Sequence, residues 1–215
     1  MKIDAVLFDL DGTLADTAPD LALALQAVRD PGFPPLAVAD VRKATAVGTE
    51  ALLSLGLGIT PRDGLYEKTR AAFLDHYHRL IGQATVLTPG MAMVLQTLAA
   101  QGLRWGIVTN KPEALARRVI KALGLEDASA CLVGGDTAAR PKPHPDPLLY
   151  ACQRLDLKPA CCVYVGDDSG DIIAARRAGM PALAAAFGYA SAEEAQSWGA
   201  DGLLSTPGDL LAFIL

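Results

Sequence analysis

Short, dominantly apolar runs recur along the chain: Ile3–Phe8, Arg104–Val108, Ala130–Val133, Cys161–Val165 and Ala182–Ala185. Continuous rather than alternating apolar character suits strands buried on both faces of a parallel sheet. Between the runs lie segments with helical spacing, at Gly90–Gln101, Pro112–Leu123, Pro145–Leu155 and Ser169–Ala178, and a short one closes the chain near Pro207–Phe213. Strands alternating with helices predict βαβ units, and therefore an α/β fold with a doubly wound parallel sheet.

The stretch from Ala18 to Gly82 breaks this alternation. Pro19–Val28, Val38–Ala46, Thr49–Leu55 and Arg62–Ile81 all suit amphipathic helices, punctuated by PGFPP and GLGITP, with no good strand among them. The expected organisation is an all-helical cap, residues 16–82, inserted into a discontinuous core of residues 1–15 and 83–215. The insertion follows directly on Asp9 and Asp11, so the insert should sit over whatever those aspartates do.

Composition narrows the partners. The 215 residues are 51% hydrophobic and 20% charged, which is globular, and the net charge of −5 offers no basic field for nucleic acid or an anionic membrane. An anionic ligand would need a local source of positive charge. The four cysteines form no C-x-x-C pair and read as small core residues of a reducing, cytoplasmic protein. Asp4, Asp9 and Asp11 interrupt any apolar leader, and no uncharged run reaches membrane-spanning length.

In a doubly wound sheet, ligands bind beyond the carboxyl ends of the strands. The polar residues found there are Asp9 and Asp11 in VLFDLDGTLADT, then Thr109, Asn110 and Lys111 after RWGIV, and Asp167, Asp168 and Asp171 after CCVYVG. RPKPHPDP, between the last two groups, adds Lys142. Like carboxylates crowded together need a counter-charge, and a hard divalent cation such as Mg2+ supplies it while leaving room for a phosphate. Asp9, nearest the rigid strand, is the candidate nucleophile. Asp11, two residues on along an extended chain, faces the same side and can act as acid and base. Gly12 permits close backbone approach, Thr109 and Asn110 offer polar contacts, and Lys142 adds fixed positive charge.

DLDGT, the Thr109 position, Lys142 in its proline-rich loop and GDDSGD resemble, in order, the four motifs of the haloacid-dehalogenase-like hydrolase superfamily. TNKPEALA, GGDTAARPKPHPDPLL and VGDDSGDIIAARRAGMP are similar to its phosphoglycolate phosphatase branch. The resemblance implies a Mg2+-dependent phosphatase with an aspartyl-phosphate intermediate and a helical cap. It implies metal binding by Asp9, the Asp11 carbonyl and Asp167, phosphoryl binding by Thr109 and Lys142, and supporting roles for Asp168 and Asp171. Where many relatives carry Ser or Thr this chain has Asp168, which leaves the direct ligand open between Asp167 and Asp168, although the Gly-Asp spacing favours Asp167.

The expected partner is a small phosphorylated metabolite, with the protein a monomer or homodimer. Phosphoglycolate leads, and a sugar phosphate such as N-acetylmuramic acid 6-phosphate is the alternative. A phosphosugar mutase fits the same residues, while Asp11 argues against a dehalogenase. The non-enzymatic alternative is a phospho-accepting or catalytically retired module on the same scaffold. For the substrate's far end, the candidates in the cap are Arg42 and the AVGTE loop with Gly48 and Thr49.

Overall fold

A computed structural model describes residues 2–214. Its main sheet has six parallel strands in the order β5-β4-β1-β6-β7-β8, made of β1 (Ala5–Phe8), β4 (Arg104–Val108), β5 (Leu132–Val133), β6 (Cys162–Gly166), β7 (Ala182–Ala185) and β8 (Gly202–Leu204). The chain steps outward from β1 to β4 and β5, then returns to the other side of β1 with β6. The strand order therefore reverses at β1, and the crevice beyond the ends of β1, β4 and β6 is where such a sheet takes its ligand.

The continuous apolar pattern of β1 has a direct structural reason. Val6 and Phe8 pack into the core on one sheet face, while Ala5 and Leu7 pack into the core on the other. The first face is covered by α5 (Met91–Ala100) and α6 (Glu113–Ala122), with α10 (Asp209–Ile214) contributing Leu210. The second is covered by α7 (Asp146–Leu155) and α8 (Ser169–Ala178), with Ala195 of α9 (Ala192–Ser197) added. A strand with no wet face has no polar alternation to display.

The helical stretch builds its own core. α1 (Ala18–Val28), α2 (Val38–Val47), α3 (Thr49–Leu57) and α4 (Tyr66–Leu80) bury Leu21, Leu25, Val41, Leu53, Phe73 and Tyr77 together. Both chain crossings into this unit are tied by an antiparallel ribbon, β2 (Ala15–Asp16) against β3 (Val86–Leu87), which the apolar pattern did not predict. Two-residue strands are too short to carry a period-2 signal.

Asp20 locks the same junction. It is fully buried, and its carboxylate accepts hydrogen bonds from the Gly82 and Ala84 amides, each at 2.7 Å, and from the Thr85 hydroxyl at 2.6 Å. Asp20→Ala is expected to lower stability by about 2–4 kcal/mol, because it takes the charged acceptor from three donors, the buried Thr85 hydroxyl and two part-buried amides. Urea unfolding of the variant would measure this, and a loss below about 0.5 kcal/mol would mean that water replaces the carboxylate without penalty.

Candidate active site

The carboxyl ends of β1, β4 and β6 open into a cavity of about 260 Å³, closed on the far side by the helical unit. From the core it is lined by Asp9, Asp11, Thr109, Asn110 and Lys142, together with Asp167, Asp168 and Asp171. Gly48 and Thr49 line it from the junction of α2 and α3. Most of the residues singled out in the sequence thus share one space, with Gly12 and Arg42 outside its lining.

Asp9 leaves β1 with its amide bonded to the Val165 carbonyl at 2.9 Å, which fixes its backbone to the neighbouring strand β6. One carboxylate oxygen, Oδ1, accepts from Lys142 Nζ at 2.8 Å; the other has no hydrogen-bond partner among the described residues. Lys142 is also within 2.6 Å of Asp171 Oδ1, 2.8 Å of the Tyr164 hydroxyl and 3.1 Å of the Val108 carbonyl. Tyr164 donates onward to that same carbonyl at 2.7 Å. The ammonium is thereby aimed by four groups.

The loop carrying Lys142 is itself clamped. Asn110 donates from Nδ2 to the Lys142 carbonyl and accepts from the Lys142 amide, both at 3.0 Å. Its amide is therefore engaged in holding the loop rather than free for a ligand. Thr109 is 2% exposed, and its hydroxyl oxygen accepts from the Lys111 amide at 3.2 Å. That leaves the hydroxyl proton unassigned and directed to the cavity's contents.

Asp167 is held by the Thr13 hydroxyl at 2.7 Å and the Tyr189 amide at 2.8 Å. Gly12, in the left-handed region at φ 85°, packs so tightly against the Asp167 carboxylate that a Cβ there would clash with it. A Cβ on Gly188 would strike the same side chain. Gly12 is thus needed for close approach to Asp167, a neighbour the sequence did not point to.

Asp168 does something different from its neighbour. It is the N-cap of α8, accepting from the Gly170 amide at 2.6 Å, and Asp171 completes a capping box from the third helical position. Its carboxylate is engaged in that cap and is not one of the three, Asp9, Asp167 and Asp171, whose ligand oxygens lie within 4.8 Å of one another.

Burial pushes Asp9 up to about 6; Lys142 pulls it back and Asp171 pushes it further. Burial, then Asp9 and Asp171, hold Asp167 well above the ordinary carboxylate range. Around this floor the four carboxylates of Asp9, Asp11, Asp167 and Asp171 meet two ammonium groups, Lys142 and Lys111. The excess of negative charge is what a bound divalent cation would balance, and an all-oxygen donor set suits a hard one. The cluster therefore fits a divalent metal.

Asp11 has partners that the sequence did not reveal. It accepts from the Thr17 hydroxyl and pairs with Lys111 Nζ at 2.8 Å. Lys111 stands at the polar end of β4, but its pairing with Asp11 depends on β4 lying beside β1. Despite burial, which lowers it, the Asp11 charge keeps the Lys111 ammonium above its usual range. Burial pushes the Tyr77 phenol, across the cavity on α4, up to about 12. Arg42, proposed for the substrate's far end, instead pairs with Asp16 at 2.7 Å, and Arg70 of α4 is the arginine that lines the cavity.

Comparison with known proteins agrees with this geometry. The family model of haloacid dehalogenase-like hydrolases matches residues 3–179. The chain is 44% identical to a phosphoglycolate phosphatase of Xanthomonas campestris, over 96% of this chain and 94% of the relative. It is 38% identical to an N-acetylmuramic acid 6-phosphate phosphatase of Pseudomonas putida, over 98% and 95%. Among solved structures, that of a protein described as a predicted phosphoglycolate phosphatase from Haemophilus somnus superimposes with a TM-score of 0.88 at 26% identity, covering 100% of this chain and 99% of that one.

Proposed function

The chain belongs to the haloacid dehalogenase-like hydrolases, and from that membership we propose that it is a phosphatase of small phosphomonoesters, with 2-phosphoglycolate the leading substrate and Asp9 the nucleophile. The observation that carries this reading is the pairing of Asp9 and Asp11: one carboxylate has an oxygen free and faces the cavity, and the second sits beside it, held by Thr17 and Lys111. Sequence similarity to named phosphoglycolate phosphatases supports the choice of substrate.

The free oxygen of Asp9 attacks phosphorus, the bond to the ester oxygen breaks, and the phosphoryl group passes to the carboxylate. Asp11, having taken up a proton from solvent or from the phosphoryl group as the ester binds, gives it to the leaving alkoxide. As a carboxylate, it then takes a proton from water, whose oxygen attacks the aspartyl-phosphate and frees inorganic phosphate. Lys142 neutralises charge on the phosphoryl oxygens while Asp171 and Tyr164 keep its ammonium aimed, and the Thr109 hydroxyl donates to another oxygen. Asp9 and Asp167, with the Asp11 carbonyl, would hold Mg2+. Bound there, that ion supplies charge neutralisation and orientation of the phosphoryl group. The helical unit over the cavity excludes bulk water from these charges.

Among the described residues no helix is long and apolar enough to cross a membrane. A small phosphorylated metabolite and free thiols at all four cysteines suit a cytoplasmic protein.

The test is phosphate release from a panel of phosphomonoesters, with Mg2+ or with EDTA. The panel contains 2-phosphoglycolate, N-acetylmuramic acid 6-phosphate, and hexose and pentose phosphates. The expected result is release that depends on the metal, with the highest kcat/KM for 2-phosphoglycolate. A higher value for N-acetylmuramic acid 6-phosphate would move the substrate assignment, and phosphate transferred rather than freed would replace the phosphatase by a mutase.

A further inference from the structure

The cavity contains hydrogen-bond donors that the reaction above leaves unused. Lys111 Nζ has Asp11 as its one carboxylate partner among the described residues, although an ammonium carries three donors and this side chain is only 7% exposed. The same nitrogen stands 4.9 Å from the centre of the Tyr77 ring. Tyr77 is 1% exposed and lines the cavity, and its hydroxyl makes no hydrogen bond of normal length among the described residues, the Lys111 ammonium being the polar group near it. A buried hydroxyl left unpaired is destabilising, so its position on the wall of a ligand cavity argues for a partner that arrives with the ligand. Arg70, on the same helix and lining the same cavity, has Glu67 no closer than 4.0 Å, at an exposed site.

We propose that Lys111 and Tyr77, with Arg70 on the same cavity wall as Tyr77, form a subsite for a carboxylate carried by the substrate's alcohol portion, its carbon two bonds from the ester oxygen. The inference rests on the phosphatase reading, in which Asp11 hydrogen-bonds the ester oxygen. Lys111 is 2.8 Å from Asp11. Asp11 Oδ1 already accepts from Thr17 and Lys111, so the ester oxygen meets Oδ2, and the two hydrogen bonds with the carboxyl group between them put the ammonium within about 8 Å of that oxygen. A carboxylate on the adjacent carbon falls within this reach, whereas one separated by a sugar ring does not. Lys142 and Thr109 already serve the phosphoryl group, so the Lys111 charge is available to the other end of a small, doubly anionic ester. Selectivity then has a physical source: a neutral alcohol in the same place leaves the Tyr77 hydroxyl and the spare Lys111 donors unpaired.

The experiment compares kcat/KM for 2-phosphoglycolate with that for 2-hydroxyethyl phosphate, which replaces the carboxylate by a neutral hydroxymethyl group. Wild type, Tyr77→Phe, Lys111→Met and Lys111→Arg are measured with Mg2+. Wild type is expected to prefer 2-phosphoglycolate by at least about a hundredfold, in line with the rejection of analogues lacking a matched polar group. Tyr77→Phe should reduce that ratio about fivefold or more and Lys111→Met at least tenfold, mainly through KM for the carboxylate substrate, with Lys111→Arg recovering part of the ratio. Tyr77→Phe removes a hydroxyl that makes no close hydrogen bond among the described residues, so it keeps the test decisive even if Lys111→Met unfolds. A wild-type ratio near one, or a ratio unchanged in Tyr77→Phe, overturns the subsite while leaving the phosphatase standing. Absence of release from both esters overturns the phosphatase reading, and the subsite with it.

Discussion

Asp9→Asn is expected to abolish turnover, by at least about 10⁴-fold in kcat, and at the same time to make the metal-free protein more stable. The first effect follows from chemistry: a carboxamide of the same shape can still accept from Lys142, but it cannot form an acyl-phosphate bond. The second follows from electrostatics. Asp9 ionises near 6 in the fold against an ordinary 3.8, a net result of burial, Lys142 and Asp171. Between those two values the folded chain holds a proton that the unfolded chain releases, so stability falls as pH rises through that window, and above about 6 the penalty is complete. Two units correspond to roughly 3 kcal/mol, an upper bound given relaxation of the site. Thermal unfolding in EDTA should therefore show Asp9→Asn above wild type at pH 7.5 and level with it near pH 4. Added Mg2+ should raise wild type more than the variant. Turnover within tenfold of wild type would remove Asp9 from the nucleophile's role, whatever the melting curves show.

The same opposition between local stability and function explains what could be seen in the sequence. Strands β1, β4, β6 and β7 were legible because both faces of each are buried, and the runs of β1, β4 and β6 are cut by aspartate, threonine or glycine at their carboxyl ends. The convergence of Asp9, Thr109, Lys142 and Asp167 was legible because a parallel sheet delivers all its carboxyl ends to one edge. The ribbon of β2 and β3 was not, since its pairing is made by two linkers far apart in sequence. Asp20 looked like one more acidic residue at a helix start, and only the return of the chain past Gly82 makes it a buried acceptor.

The site itself divided along the same line. Residues that act through short-range motifs were found; those that act through strand order or across the cavity were not. Lys111 was visible as a polar residue after β4, but its ion pair with Asp11 required β4 to lie next to β1. Tyr77 sat at an apolar helical position beside Phe73, and its ring does pack with Phe73 at an interplanar angle of 7°. Its free hydroxyl is a property of the cavity, not of the helix. Arg42 was read as facing the ligand because the loop after it does. Tertiary structure places Asp16 within its reach, and an arginine adopts a bidentate partner when one is available. Asp168 could have been read as a cap from sequence, since Asp168 and Asp171 have the spacing of a capping box.

Replacing Lys142 by Met should cut turnover heavily, though less than losing the nucleophile, and should also weaken the fold. The ammonium lies between Asp9 and Asp171, both buried, and removing it leaves two carboxylates facing each other without a counter-ion. Breaking one buried ion pair from one side costs about 3–5 kcal/mol. Catalysis loses a preorganised charge on the phosphoryl oxygens, worth about 10²–10³ in kcat, and more if Asp9 turns toward a new partner. A second substitution separates the two effects. In Lys142→Met with Asp171→Asn, one of the stranded charges is gone and the amide still accepts from Tyr164, so more than half of the lost stability should return. Turnover should stay at the single-variant level, because no charge has been restored near the phosphoryl group. If kcat recovered along with stability, Lys142 would be a structural counter-ion, and the developing charge would have to be met elsewhere, at Thr109 and at a metal that Asp9 and Asp167 would hold.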